Sequence, residues 1–111
     1  MDLLRGKTVR WTFADGPVAG MRFEHTFHDD GGVTWRILEG QGKGHSAREK
    51  RCATMKVTED VHTASYLGAS GHTLTVVLDF STGRMFAFAS NNNDWHSLTG
   101  TFEVVQGTER A

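Results

Sequence analysis

The stretch Met21-Arg22-Phe23-Glu24-His25-Thr26-Phe27 alternates apolar or aromatic residues with polar ones, and Asp29-Asp30-Gly31-Gly32 follows it. Alternation with a period of two is typical of a β-strand with one buried face, and an Asp/Gly cluster after it is typical of a turn. Similar turn signals stand at Asp15-Gly16, Thr58-Glu59-Asp60, Ala69-Ser70-Gly71 and Ser81-Thr82-Gly83. Short alternating segments separated by such turns predict an antiparallel meander.

The strands of this meander can be placed along the chain. They are predicted at 7–13, 20–27, 33–38, 46–56, 61–67, 72–80, 84–90 and 98–105. Good helix formers between Ser46 and Thr54 leave a helix as the alternative there, and we favour a strand because a helix would interrupt the meander. A meander of about eight strands this short usually closes into a barrel, since closure removes the unpaired edges of the sheet. We therefore predict an all-β fold, one antiparallel barrel of about eight strands forming a single domain over 1–111.

The alternation also assigns side chains to the inside of the barrel. The predicted inward rows include Trp11 with Phe13, Met21 to Phe27 at every second residue, Val33 with Trp35 and Ile37, Leu74 to Phe80 at every second residue, Phe86 with Phe88, and Leu98 with Phe102 and Val104. Two rows compete on the strand over 61–67: Tyr66 with His62, or Val61 with Thr63 and Leu67. The predicted buried core contains Phe23, Trp35, Leu78, Phe86 and Phe102.

The net charge and the cysteine content of the chain limit the classes of partner and the cellular compartment that we expect for it. The chain has 111 residues and a formal net charge of −1, so no strong field attracts it to nucleic acid or to an anionic membrane, and we predict neither as a partner. Cys52 is the single cysteine, which rules out an intramolecular disulfide and fits a reducing compartment. Residues 1–6 contain no apolar run of signal-peptide length, and a cytoplasmic location is expected.

Metal and cofactor motifs are weak in this chain. His25 and His28 form a His-x-x-His, but residues three apart on a strand point to opposite faces and chelate poorly. No dinucleotide fingerprint or nucleotide-binding loop is present. Gly40-Gln41-Gly42-Lys43-Gly44 precedes a predicted strand and is interpreted as a hairpin. Asp79, before Ser81-Thr82-Gly83, is interpreted as a carboxylate that binds turn amides. We predict no metal and no cofactor.

The order of several short motifs resembles a known family. These motifs are Gly6-Lys7, Asp15-Gly16, Thr34 to Gly40, Ser65-Tyr66 with Ser70-Gly71, Leu74 to Gly83, and Gly100-Thr101-Phe102. Together they resemble the MoaF-like proteins of the calycin superfamily, relatives of the bacterial phenolic acid decarboxylases. The resemblance implies a calycin or lipocalin-like barrel with a small-molecule pocket, often dimeric, so that a homodimer is expected. It does not define an activity.

The decarboxylases to which the chain is distantly similar hold the substrate carboxylate with a Tyr-x-Tyr and use an Arg and a Glu. At the matching positions this chain has Trp11, Phe13, His45 and Gly68. Both phenol hydroxyls are therefore missing; Trp11 can donate one hydrogen bond and Phe13 none. Since general acid–base groups contribute about 10²–10⁴-fold where they operate, the same decarboxylation is not expected here.

Three functions follow as hypotheses. The first is binding of a small apolar or aromatic molecule in a lined barrel mouth. The residues predicted to line it are Trp11, Phe13, Phe23, Trp35, His45 and Tyr66. The second is a lyase or isomerase acting on an aromatic or unsaturated acid, with His45 as general acid or base. The third is a filled barrel that acts as a dimeric interaction module.

Overall fold

The computed structural model describes residues 4–105 of the chain, and these residues form one antiparallel sheet of nine strands. The strands are β1 (Thr8–Phe13), β2 (Arg22–Phe27), β3 (Val33–Glu39), β4 (Ser46–Glu49), β5 (Cys52–Lys56), β6 (Val61–Leu67), β7 (Thr73–Asp79), β8 (Arg84–Ser90) and β9 (Trp95–Val105). A 3-10 turn at Gly16–Val18 lies between β1 and β2. The predicted all-β barrel is confirmed. The domain predicted over 1–111 also includes 1–3 and 106–111, which lie outside the described residues.

The single strand predicted over 46–56 is two strands, β4 and β5, because the chain bends at Lys50-Arg51. The order in the sheet is β4-β3-β2-β1-β9-β8-β7-β6-β5. The two edge strands are therefore consecutive in the chain but are not paired with each other. The sheet forms a nearly closed barrel, and we call the gap between β4 and β5 the seam.

Strand β9 joins the two halves of the barrel. Its C-terminal half pairs with β1, with Trp11 opposite Phe102, and its N-terminal half pairs with β8, with Ala87 opposite Leu98. Gly100 lies where β1 and β8 both contact the strand. A Cβ atom at Gly100 would stand 2.0 Å from the carbonyl oxygen of Thr12. Only glycine allows this close approach. Strand β9 begins at Trp95, three residues before the predicted boundary, and pairs with both halves of the barrel.

Most of the predicted inward rows are confirmed. Buried hydrophobic residues come from both halves of the barrel, including Val9, Trp11, Phe13, Phe27, Val33, Val76, Leu78 and Leu98. On β6 the inward row is the one containing His62 and Tyr66, with Ala64 between them. Leu78 is fully buried, whereas Phe23, Trp35 and Phe102 are half-buried. These rows form the core of the molecule.

The face assigned to β8 is wrong by one residue. Met85 and Ala87 are buried, Phe86 is half-buried and Phe88 is 47% exposed. Both rows of this strand are apolar, so alternation alone does not distinguish them. The register does, because Met85 stands opposite Leu78 and Ala87 opposite Leu98, which are themselves inward residues.

The turns use their polar side chains locally, as predicted for Asp79. Its Oδ1 accepts hydrogen bonds from the Ser81 amide at 3.0 Å and from the Ser81 hydroxyl at 2.7 Å. These bonds, the hydroxyl one first, lower the pKa of Asp79 below its ordinary value. Asn91 binds the amides of Asn93 and Asp94 in the same way. Within residues 4–105, no helix has the length and apolar character needed to cross a bilayer.

Candidate functional site

A stacked pair of rings, Trp11 and His25, lies on the buried face of β1 and β2. Val9 stands opposite His25 and Trp11 opposite Phe23 in the β1–β2 register, so the two rings are diagonal neighbours on one face. Their ring centroids are 4.0 Å apart and their planes differ by 19°. Trp11 is 1% exposed and His25 is fully buried. The inner wall of the barrel thus carries an aromatic surface that includes three ring nitrogen atoms.

His25 is connected across the barrel to Tyr66. The distance between His25 Nε2 and the Tyr66 hydroxyl oxygen is 2.8 Å, although β2 and β6 are far apart in the sheet order. Burial lowers the pKa of His25 to about 3, so the imidazole is neutral at physiological pH. Burial also raises the pKa of Tyr66, with smaller contributions from Glu49 and Cys52. The phenol therefore keeps its proton.

The proton positions in this pair follow from counting partners. If Tyr66 donates its hydroxyl proton to Nε2, the neutral imidazole carries its own proton on Nδ1. If Nε2 donates instead, the Tyr66 hydroxyl proton has no acceptor among the described residues, and Nδ1 is an unused acceptor as well. The first arrangement leaves fewer groups unsatisfied and is favoured. His25 Nδ1 is then a donor.

Two N–H groups of the stacked pair are consequently among the buried polar groups of residues 4–105 that have no partner, together with Arg22 Nε and both ring nitrogens of His62. The two N–H groups are those of Trp11 Nε1 and His25 Nδ1, one on each ring of the stacked pair. An unsatisfied buried donor costs about 1–3 kcal/mol, so two on adjacent rings call for an explanation. Unpaired polar groups of this kind are a recognised sign of a functional site.

Glu49 is a buried carboxylate at the seam. Its Oε2 accepts a hydrogen bond from the Trp35 indole N–H at 2.9 Å, and its Oε1 accepts one from the Ala69 amide at 3.2 Å. It thereby ties β4 to the turn between β6 and β7. Oε2 also lies 3.4 Å from where a Cβ of Gly68 would stand. Strand β4 therefore places a carboxylate beside Gly68.

The other contacts across the seam involve main-chain carbonyls. The Cys52 amide donates to the Gly31 carbonyl at 2.7 Å. The Arg5 guanidinium donates to the carbonyls of His28, at 3.3 Å, and of Cys52. These bonds attach the start of β5 to the turn between β2 and β3, so that the seam is held without a strand ladder.

A cavity of about 760 Å³ lies at the seam, within the size range of small-molecule sites. It is lined by Asp30, Gly31, Lys50, Arg51, Cys52, Ala53, Ser65, Tyr66, Leu67 and Thr73. We call it the seam cavity. Tyr66 belongs both to its lining and to the hydrogen bond with His25, so it links the cavity to the stacked pair. A second cavity of about 220 Å³, which Trp35 helps to line, lies over β2, β3 and β4.

The six residues predicted to line a ligand site are distributed over different places. Trp11, Phe13 and Phe23 are on the inner faces of β1 and β2, and the rings of Phe13 and Phe23 meet edge to face at 5.6 Å. Tyr66 lines the seam cavity and Trp35 binds Glu49. His45 is exposed in the turn between β3 and β4, where its carbonyl accepts from the Ile37 amide.

Two residues central to this geometry were not predicted as site residues. Alternation placed His25 on an inward row, but it was considered only as half of a metal motif; a histidine between Phe23 and Phe27 on a buried row is the signal that identifies it. Glu49 stands between the basic residues Arg48 and Lys50 in the sequence. Its burial depends on pairing with Val33, for which no local pattern gives a signal.

The histidines do not form a metal centre. Among the described residues, no three His, Cys, Asp or Glu side chains are grouped to hold an ion. His25 is buried, whereas His28 Nε2 is 2.7 Å from the Thr34 hydroxyl oxygen. His62 is fully buried against the Phe80 ring, with centroids 5.5 Å apart.

Comparison with known proteins supports the fold and identifies the family. The chain is similar to a protein from Burkholderia vietnamiensis whose crystal structure is described as that of a "putative beta-lactamase"; the TM-score is 0.78 and the identity 21%, over 93% of this chain and 96% of the other. At this identity the likeness shows the fold alone. No curated protein sequence matches the chain. The profile of the MoaF-like family matches residues 5–103, and the chain therefore belongs to the MoaF-like family.

Proposed function

We propose that this MoaF-like barrel binds a small, planar, largely apolar molecule. The ligand occupies the seam cavity and lies against Tyr66. The observation that carries the proposal is that Tyr66 lines a cavity of about 760 Å³ and is held in place there by its hydrogen bond to the buried His25. A large cavity with apolar walls and a few directed polar groups is the usual form of a small-molecule site.

The chemistry of the walls supports a flat ligand. Ala53 and Leu67 provide apolar surface in the lining of the cavity, and Tyr66 provides a phenol ring. Aromatic faces favour offset stacking with another planar ring. His45, exposed in the turn between β3 and β4, has no part in this proposal.

Native mass spectrometry of the purified protein, followed by extraction and identification of any copurifying molecule, tests this function. An Ala53→Trp variant would place an indole in the seam cavity and should reduce both copurification and rebinding of the extracted molecule. Ala19→Trp is the matched control, since Ala19 is exposed and lies outside the lining of the cavity. Equal binding by wild-type protein and Ala53→Trp would contradict the site, and a wild-type protein that binds no planar aromatic molecule would contradict the function.

A specific surface feature also favours self-association. Phe88 and Trp95 stack at 5.9 Å on the outer face of β8 and β9, where they are 47% and 66% exposed. Adjacent exposed aromatic residues are typical of interaction surfaces. We propose that the expected homodimer forms through this face. Light scattering should show a dimer for wild-type protein and a monomer for Phe88→Ser with Trp95→Ser; a monomeric wild-type protein at high micromolar concentration would contradict it.

A further inference from the structure

Two cationic residues that are consecutive in the chain, Lys50 and Arg51, both line the seam cavity. Consecutive side chains of a regular strand point to opposite faces of the sheet. The chain bends between β4 and β5 at these two residues, which allows both of them to line one cavity. Because this is the cavity of the proposed function, the ligand class inferred from these two residues rests on that function.

Neither Lys50 nor Arg51 forms an ion pair with an acidic side chain among residues 4–105. Most other cations of the described chain do form one, at distances between nitrogen and carboxylate oxygen from 2.5 to 3.8 Å. These cations are Arg10, Arg22, Arg36, Lys43, Arg48 and Lys56. The bend therefore presents two positive charges to the seam cavity that no carboxylate of the described chain neutralises.

Asp30 is the one acidic residue that the described chain contributes to the lining of the cavity, and its carboxylate is already bonded elsewhere. Its Oδ1 accepts a hydrogen bond from the Gly32 amide at 3.0 Å, and its Oδ2 accepts one from the Arg48 guanidinium at 2.5 Å. The Gly32 bond, followed by the positive charge of Arg48, lowers the pKa of Asp30 below its ordinary value. Asp30 is therefore ionised and paired with Arg48, and it leaves Lys50 and Arg51 available to a ligand.

The buried carboxylate of Glu49 determines which end of the cavity suits a negative group. Glu49 is not part of the lining, and its two oxygens accept from Trp35 and Ala69. Burial, and to a smaller extent the charge of Glu49, raises the pKa of Tyr66, so negative charge is disfavoured beside the phenol. An anionic group of the ligand is therefore favoured at the bend, with the apolar part of the ligand against Tyr66.

The hydrogen-bonding groups at the bend indicate the kind of anion. A lysine ammonium has three N–H donors and an arginine guanidinium has five, and neither has an acceptor. A phosphate monoester presents three terminal oxygens and a charge of about −1.5 to −2 at pH 7, whereas a carboxylate presents two oxygens and one charge. Arginine and lysine are the usual partners of phosphate groups in proteins. We propose that the seam cavity selects a planar molecule that carries a phosphate monoester, with the phosphate at Lys50 and Arg51 and the ring against Tyr66.

Three probes with the same ring test this proposal by titration calorimetry at pH 7. They are 2-naphthyl phosphate, 2-naphthyl sulfate, which has the same three terminal oxygens and one charge less, and uncharged 2-naphthol. Since an exposed ion pair changes affinity by a factor of about 2 to 5, the phosphate should bind about 5- to 25-fold more tightly than naphthol, with the sulfate between them. Raising the salt concentration from about 20 to about 500 mM should reduce this preference and leave the affinity for naphthol nearly unchanged.

The results that would overturn the ligand class differ from the one that would overturn the proposed function. Equal binding of the phosphate and naphthol, or binding of the sulfate at least as tight as that of the phosphate, would overturn the ligand class and leave the proposed function in place. Binding of none of the three probes would overturn the proposed function itself.

A double variant, Lys50→Gln with Arg51→Gln, locates the recognition of the phosphate. Both residues are exposed, so the variant should fold. It should bind 2-naphthyl phosphate no more tightly than 2-naphthol, while its affinity for naphthol stays within about twofold of wild type. Lys43→Gln with Arg84→Gln is the matched control, because it removes the same charge from exposed residues outside the lining of the cavity; it should keep the preference. An unchanged preference in the Lys50 and Arg51 variant, or an equal loss in the control, would overturn the proposal.

Discussion

The side chains of His25 and Tyr66 join opposite walls of the barrel, with 2.8 Å between Nε2 of the imidazole and the phenol oxygen. The two strands that carry them, β2 and β6, are not neighbours in the sheet. Because burial lowers the pKa of His25 to about 3, the imidazole in this hydrogen bond is neutral at physiological pH. This has a consequence for the stability of the barrel in acid.

Acidification should destabilise the protein through His25. In the unfolded chain the imidazole titrates near its ordinary pKa of about 6.5, so the unfolded state binds more protons than the folded state between that pH and about 3. Its contribution to stability is complete above pH 6.5 and is lost as the pH falls, by up to about 1.4 kcal/mol of unfolding free energy per pH unit. Urea unfolding at pH 7, 6 and 5 measures this loss.

His25→Gln is the matched control for the acid effect. Its amide can still bond the Tyr66 hydroxyl, but it does not titrate. The variant should be less stable than wild type at pH 7 and show a flatter pH dependence between 7 and 5. The same slope in both proteins would mean that other groups cause the acid sensitivity.

Glu49→Gln should weaken the seam. Both carboxylate oxygens accept from N–H groups, of Trp35 and Ala69, and an amide would point its own N–H₂ at one of these donors. We expect a loss of about 1–3 kcal/mol in unfolding free energy, measured by chemical denaturation. Glu39→Gln is the control, because Glu39 is exposed and contacts Lys43 at 3.8 Å; it should change stability by less than about 1 kcal/mol.

The corrected face of β8 is tested with two methionines. Met85 is fully buried, and Met55 on β5 is 63% exposed. Truncation of the buried side chain, Met85→Ala, should cost about 2–5 kcal/mol. Met55→Ala should cost under about 1 kcal/mol. A small effect at Met85 would restore the alternative in which Phe86 and Phe88 point inward.

The protein is predicted not to decarboxylate hydroxycinnamic acids. Trp11 and Phe13 lack the phenol hydroxyls found at the matching positions of the decarboxylases that the sequence distantly resembles. Glu49, the carboxylate beside Gly68, accepts hydrogen bonds from Trp35 and Ala69 with its two oxygens. No vinylphenol should form from p-coumarate or ferulate above the rate in buffer, as measured by liquid chromatography. Formation above that rate by wild-type protein, lost in Glu49→Gln, would contradict the prediction.

The strands and most of the interior could be predicted from the sequence because both depend on local patterns. Turn signals mark where strands end, and alternation placed Trp11 and His25 on inward rows before any pairing was known. Alternation does not identify the buried face of a strand when both of its rows are apolar. On β8, Met85 with Ala87 and Phe86 with Phe88 are both apolar rows, and only their partners on β7 and β9 decide between them.

The candidate site could be predicted less well, since it depends on distant residues coming together. The bond between His25 and Tyr66, and the one between Glu49 and Ala69, form only when the two halves of the barrel meet. The bend at Lys50-Arg51, which creates the seam cavity, separates two segments that each resemble a strand. A single predicted strand over 46–56 therefore hides the opening of the barrel.

The central position of β9 also determines how the chain can reach this structure. Every other pairing joins strands that are adjacent in the chain, whereas β1 pairs with β9 across nearly the whole described sequence. Contacts between distant parts of a chain form slowly, because the entropic cost of closing a long loop comes before the contacts can stabilise the structure. A folding intermediate should thus hold two independent stacks of hairpins, β1 to β4 and β5 to β9, with the open edges of β1 and β9 exposed to aggregation until these two strands pair.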